Sequence, residues 1–297
     1  MTEIGDISSE VHDILERMKI QESQIYVPAP IQDELIAVWR KILIEWMYYV
    51  IDYCRLQRPA VAAAAFFFDV AVKKQLVHTP EEHQLAAATA LQLALKTHDS
   101  CVIKLDKLVK LGRGQFTEDD VVQMERKLLE SLDWHLHPPS TYCFLMQYER
   151  LLPNTIGQTT RQMITNITSL ACEVTLTDHN YLSYHPSEVA FAVMLMALEM
   201  IPHEDLPIFQ RQCLLVRLSS AAQMDCKSGA TLEAFERLKS SMASSPKFST
   251  LTETLQKQQK QNARDCRKYC RNRISYTSAV HNHSPRHVMP LVRMLSG

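Results

Sequence analysis

The stretch IQDELIAVWRKILIEWMYYVIDYC, residues 31–54, carries apolar side chains at Leu35, Val38, Trp39, Ile42, Leu43, Trp46, Val50 and Ile51. Steps of three and four residues place them on one stripe of an α-helix. Arg58-Pro59 breaks the pattern, and proline suits the first turn of a new helix. That next helix, about Pro59–Leu76, is rich in Ala and Phe nearly all round (Ala62 to Phe68), the mark of a buried central helix. Thr79-Pro80-Glu81-Glu82 reads as a capping box that opens a third helix running to about His98. A short fourth helix is expected over about Leu105–Lys110, before a loop at Gly112-Arg113-Gly114. Thr117 then caps a fifth, about Glu118–Leu132, whose leading acids suit the positive end of the helix dipole.

Pro138-Pro139 closes this group, because the residue before a proline is pushed out of the helical region. Five more helices follow: about Ser140–Leu151, Thr159–Thr177, Pro186–Met200, Asp205–Ser220 and Thr231–Ser240. A faint repeat links the halves, since Arg58-Pro59 and His185-Pro186 each open a small-residue-rich helix. The expected fold class is therefore all-α, two tandem five-helix units. The expected domains are an N-terminal segment with a short helix (1–30), a first helical unit (31–137), a second (138–245) and a basic, disordered tail (246–297). That tail holds Lys257, Lys260, Arg264, Arg267, Lys268, Arg271, Arg273, Arg286 and Arg293 against the single acid Asp265 over 257–293, a composition too polar to build a core. Ser245-Pro246 and Ser284-Pro285 in it are minimal proline-directed phosphorylation sites.

Composition narrows the function. Only 6 of 297 residues are glycine, which argues against glycine-rich phosphate loops, dinucleotide fingerprints and tight hairpins. A net charge of -1 argues against bulk nucleic-acid binding. No apolar run reaches the roughly 18–20 residues of a membrane span, and the acidic N-terminus lacks the features of a secretory signal. The 8 cysteines have no framework spacing and read as reduced thiols, so a soluble intracellular protein is expected. No hydrolase, kinase, nucleotide-loop or zinc-protease motif occurs. His135-Leu136-His137 reads as a linker, and Cys266, Cys270, His281 and His283 are too loosely spaced for a zinc site. Neither a metal nor a cofactor is expected.

A scattered set of residues with matched spacing says more. Trp39-Arg40-Lys41-Ile42-Leu43 with Glu45-Trp46, Phe67-Phe68-Asp69, Gln84-Leu85, Ala94-Leu95-Lys96, Met124-Glu125 and Leu129-x2-Leu132-Asp133-Trp134 fall in order on the first five helices. Pro138-Pro139-Ser140-Thr141-Tyr142-Cys143-Phe144-Leu145 follows as a linker. Together they resemble the cyclin box, over about residues 10–240 and most closely over 33–145. Independently of that resemblance, Arg40 and Asp69 on adjacent apolar helices are expected to form a structural ion pair, because a lone buried charge is very costly.

The resemblance implies a non-enzymatic regulatory subunit that binds and activates a cyclin-dependent protein kinase in cell-cycle control. A cyclin-fold adaptor in transcription, without a kinase, is the alternative. It implies that Lys96 and Glu125 contact the kinase. It also implies a peptide-docking patch for Arg-x-Leu segments at Trp39, Leu43, Trp46, Gln84 and Leu85, with Arg40 among the matching positions. Here Trp39 stands where Met is usual, and Tyr49 and Tyr53 where acids are frequent. The short N-terminus resembles D-type or G1-type cyclins more than mitotic ones. Location in nucleus and cytoplasm is expected, with no direct nucleic-acid or membrane partner.

Overall fold

Asp33 Oδ1 accepts from the amides of Leu35 and Ile36 at 2.8 and 3.3 Å, so the first helix of the quoted stretch begins at Glu34 rather than Ile31. In the computed structural model, which describes residues 2–98, 102–226 and 228–243, it is one of eleven α-helices among the described residues. These run α1 (Thr2–Ile25), α2 (Glu34–Cys54), α3 (Ala60–Lys73), α4 (Pro80–His98), α5 (Leu105–Leu111) and α6 (Glu118–Ser131), followed by α7 (Thr141–Arg150), α8 (Gln158–Thr177), α9 (Pro186–Met200), α10 (Ile208–Ala222) and α11 (Gly229–Ala243). A short 3-10 turn at His179–Ser183 joins α8 to α9. The described residues contain no β-strand. The all-α class is the one expected, with α2–α6 as the first five-helix repeat and α7–α11 as the second.

Local chemistry explains where the helices start. Thr79 Oγ1 accepts from the Glu82 amide at 3.3 Å while Glu82 Oε2 takes the Thr79 amide at 3.2 Å. Thr117 and Asp120 make the same reciprocal box at α6, satisfying amides that a helix start otherwise leaves open. The His78 and Thr79 amides, both donating to Glu82 Oε2, hold its carboxyl below the usual carboxylate range, and the Thr117 amide and hydroxyl do the same for Asp120.

Helix ends are solved differently, because glycine is scarce. Arg55, Gln75, Arg113, Asp133, Trp134 and Gln223 take left-handed φ values of 47–61° just beyond their helices, where glycine is the usual choice. Cations from neighbouring elements take up further carbonyls. Lys74 Nζ donates to Ser131 O at 2.6 Å at the end of α6. Arg161 donates to Leu152 O and Pro153 O, at 2.9 and 2.8 Å, just past α7. Arg211 donates to Ile201 O at 2.6 Å past α9, and Lys19 donates to Ala222 O at the end of α10. Each places positive charge at the negative pole of a helix.

Helix α3 is the centre of the first repeat. Ala63, Ala64, Ala65, Phe67 and Phe68 are buried, and α4 meets it with Ala86, Ala87, Ala88 and Ala90, so small side chains on both sides let the two axes approach. Helix α9 holds the same place in the second repeat, with Val189 through Met194 buried. The faint sequence similarity between the two proline-opened helices thus coincides with a shared central position.

The N-terminal helix is longer than expected. Rather than a short helix, α1 spans 24 residues. Tertiary contacts supply what intrinsic propensity does not. Val11 and Leu15 are buried, Glu10 pairs with Arg150 at 2.8 Å, and Gln21 Nε2 donates to His137 O at 2.9 Å. Glu22, 4% exposed, accepts from both the amide and the hydroxyl of Ser187 at 2.7 Å. Its carboxylate therefore caps the N-terminal turn of α9 from a different helix. Burial pushes the Glu22 carboxyl up, opposed by the Ser187 hydrogen bonds. The basic tail expected over 246–297, with its Ser-Pro sites and its Cys and His residues, lies outside the described residues.

Candidate functional site

Lys96 stands in the last turn of α4 and Glu125 in the middle of α6. Lys96 Nζ reaches both carboxylate oxygens of Glu125, at 2.7 and 2.8 Å. The pair lies at the surface, with the lysine side chain 39% and the glutamate 19% exposed. Below it the helices are anchored by buried Leu93, Leu95, Met124 and Leu128. One turn before Glu125, Val122 is 52% exposed, an apolar side chain beside a charged one on the same helix face. An exposed ion pair contributes only about 0–1 kcal/mol to stability, so this arrangement adds little to the fold. It offers a neutralised, hydrogen-bonding pair in a partly apolar surround, suited to rearrangement against a partner.

The second pair is built into the interior. Arg40 Nε and Nη2 bind Asp69 Oδ1 and Oδ2 at 2.7 and 2.9 Å, a fork-on-fork geometry. Arg40 is 2% exposed and Asp69 18%. The remaining arm, Nη1, donates to Leu176 O at 2.9 Å, in the final turn of α8. One guanidinium therefore joins α2 and α3 of the first repeat to the C-terminus of α8 in the second. The Asp69 partner was legible in the sequence; the Leu176 carbonyl was not, since a backbone acceptor leaves no residue-type signal. Arg58 adds a second bridge between the repeats, binding Asp52 at 2.6–2.8 Å and also Glu173, while its guanidinium lies 5.5 Å from the Tyr48 ring.

The expected docking-patch residues Trp39, Leu43 and Trp46 on α2, and Gln84 and Leu85 on α4, are all half-buried. Beside them α2 exposes Leu35, Val38, Ile42, Tyr49 and Tyr53, a stripe at helical spacing. Tyr49 and Tyr53 stack with centroids 6.3 Å apart. Beneath Trp39 lies buried His83, edge-on at 5.1 Å, which bonds Thr79 O through Nδ1 at 2.7 Å. That support was missed in the sequence, although its spacing of four residues from Thr79 places it over the helix start. The structure thus gives three separate features: the Lys96–Glu125 surface, the Arg40–Asp69 bridge and the α2 stripe. No group of three His, Cys, Asp or Glu side chains among the described residues is placed to hold a metal ion.

Comparison with known families matches the cyclin N-terminal domain over residues 10–137 and the cyclin C-terminal domain over residues 139–271. The G2/mitotic-specific cyclin-B3 of Drosophila melanogaster is 25% identical over 196 residues, 65% of this chain and 33% of the fly protein. Cyclin-D3-3 of Arabidopsis thaliana is 24% identical over 202 residues, 66% of this chain and 55% of the plant protein. The chain thus spans a third of one relative's length and about half of the other's. B-type and D-type relatives match almost equally, so identity does not single out the G1-type assignment. Among solved structures, the X-ray structure of a viral cyclin from herpesvirus saimiri superposes with a TM-score of 0.59 at 16% identity, covering 78% of this chain and 97% of the viral one. At that identity the likeness is one of fold.

Proposed function

The chain belongs to the cyclin family, and from this premise we propose that it is the regulatory subunit of a cyclin-dependent Ser/Thr protein kinase, acting in cell-cycle control. The supporting observation is the Lys96–Glu125 pair, held at 2.7–2.8 Å on a partly apolar surface where it contributes little to the fold. A protein kinase is active only when its Lys–Glu ion pair and Mg-binding Asp are both in place. A subunit that contacts the active arrangement better than the inactive one shifts the population toward it. Lys96 and Glu125 supply such contacts by turning part of their hydrogen bonding from each other to kinase groups, with Val122 giving adjacent apolar area. The α2 stripe, on a different face of the repeat, is assigned to substrate or inhibitor segments carrying Arg-x-Leu, with Tyr49 and Tyr53 offering their ring faces to the arginine.

Native mass spectrometry of the tagged chain recovered from cells tests this reading. A one-to-one complex with a protein kinase is expected. Recovery with transcription-factor subunits and no kinase would overturn it in favour of an adaptor role.

A further inference from the structure

The cations of the first repeat are not spread evenly. Lys104, Lys107, Lys110 and Arg113 recur at every third residue along α5 and the loop behind it, and all four are exposed. Lys110 lies 3.7 Å from Asp106, one turn back on the same helix. Lys104, Lys107 and Arg113 make no ion pair among the described residues. The acids Glu118 and Asp119 follow at the start of α6, where the positive pole of that helix already favours them. Two features place this row beside the Lys96–Glu125 pair. Gln92, one turn before Lys96 on α4, donates through Nε2 to Ile103 O at 3.3 Å, so the chain entering α5 runs against the last turns of α4. Helix α5 also packs on α6, the helix of Glu125. Val102, on the same entry, is 51% exposed and adds apolar area of the kind Val122 gives.

The fold itself does not account for the row. Lys104 is the residue before the first turn of α5, with extended backbone (φ −63°, ψ 145°) and no side-chain cap bond. Ser, Thr, Asp and Asn are preferred at that position, and a cation at the positive pole of a helix is unfavourable. Lys107 repeats the misfit in the first turn. Only Lys110, in the last turn with Asp106 one turn before it, suits the helix it belongs to. Positions that break a local rule with no gain to the fold are expected at functional surfaces.

We propose that the α5 row selects the kinase: the partner is one whose surface beside the Lys96–Glu125 contact carries a segment rich in Asp and Glu. The inference rests on the kinase reading above and adds the charge of the partner to it. Complementary charge at the rim of an interface speeds encounter and excludes partners of the wrong sign. Exposed lysines contribute little as fixed ion pairs, so the row acts by steering an acidic surface onto the first repeat.

Stopped-flow association of the full chain with the kinase recovered in its complex, the two purified apart, tests the proposal. Lys104→Glu/Lys107→Glu/Lys110→Glu should slow association by roughly tenfold or more at low salt. The difference should shrink as added salt screens it, while dissociation changes little. Lys104→Asp separates a partner role from a structural one. It supplies the missing cap, so the melting temperature should rise while association slows. An association rate unaltered by the triple variant, a difference that salt does not screen, or a Lys104→Asp protein that melts higher and associates as fast as the parent would each overturn the proposal and leave the kinase reading standing. Binding of duplex DNA by the free chain, lost in the triple variant, would overturn it in favour of a nucleic-acid surface. Absence of any kinase from the recovered complex would remove the reading on which the inference rests, and the inference with it.

Discussion

At the scale of single residues, Arg40 does the most structural work for its size. It satisfies both oxygens of Asp69 and the carbonyl of Leu176 from a position only 2% exposed. Removing one partner of a buried pair leaves an uncompensated charge, a loss of about 3–5 kcal/mol. Asp69→Ala is therefore expected to destabilise the protein by about that amount, read as a shift in the chemical denaturation midpoint; an unchanged midpoint would show that the guanidinium is satisfied without it. Glu22 gives a pH signature instead. Burial raises its folded-state pKa above the unfolded value of about 4.3, so the folded state holds this proton more tightly. Its contribution to stability is then greatest below the unfolded pKa and is lost as pH rises toward the raised value. Glu22→Gln keeps an acceptor for Ser187 without the buried charge. Across pH 4–7, thermal melts of the parent should lose stability relative to this variant as pH rises; the opposite trend would contradict the assignment.

At the scale of helices, capped starts are legible in the sequence, and so are the ends at His98, Thr177 and Met200; the groups that satisfy the last carbonyls are not. Thr79-x2-Glu82 and Thr117-x2-Asp120 announce their boxes because every group involved lies within four residues. The ends depend on Lys74, Arg161, Arg211 and Lys19, which arrive from elsewhere in the chain. The length of α1 escaped sequence reading for the same reason, since its anchors Arg150, His137 and Ser187 lie 116–165 residues away. Left-handed positions without glycine give a direct check. Gln75, at φ 55° after α3, adopts a conformation that costs a side-chain-bearing residue about 1 kcal/mol. Gln75→Gly should stabilise by up to about 1 kcal/mol, less the greater entropy glycine has in the unfolded chain. A destabilised Gln75→Gly protein would mean that its side chain makes contacts worth more than the backbone strain.

At the scale of the whole molecule, two repeats built on the same plan are joined by α1, residues 26–33, Arg40 and Arg58, and Lys96–Glu125 is one of several charged pairs at the surface of the first repeat. The direct contact between Lys96 and Glu125 was not legible in the sequence, since they lie 29 residues apart on different helices. In the sequence they resembled a pair that hydrogen-bonds a kinase, and in the isolated protein each is the other's partner at 2.7–2.8 Å. The same helix face carries Val122, an apolar residue left 52% exposed. If that face receives a kinase, truncating the pair removes hydrogen-bonded charges from the interface, a loss of about 2–5 kcal/mol in binding, with little effect on a fold to which an exposed pair contributes about 0–1 kcal/mol. The most direct measurement is the dissociation constant of the native kinase complex for the parent chain and for Lys96→Ala/Glu125→Ala, alongside their melting temperatures. The expected result is binding weaker by about 2–5 kcal/mol at a nearly unchanged melting temperature; a double variant that binds and activates the kinase as the parent does would contradict the assignment of this surface.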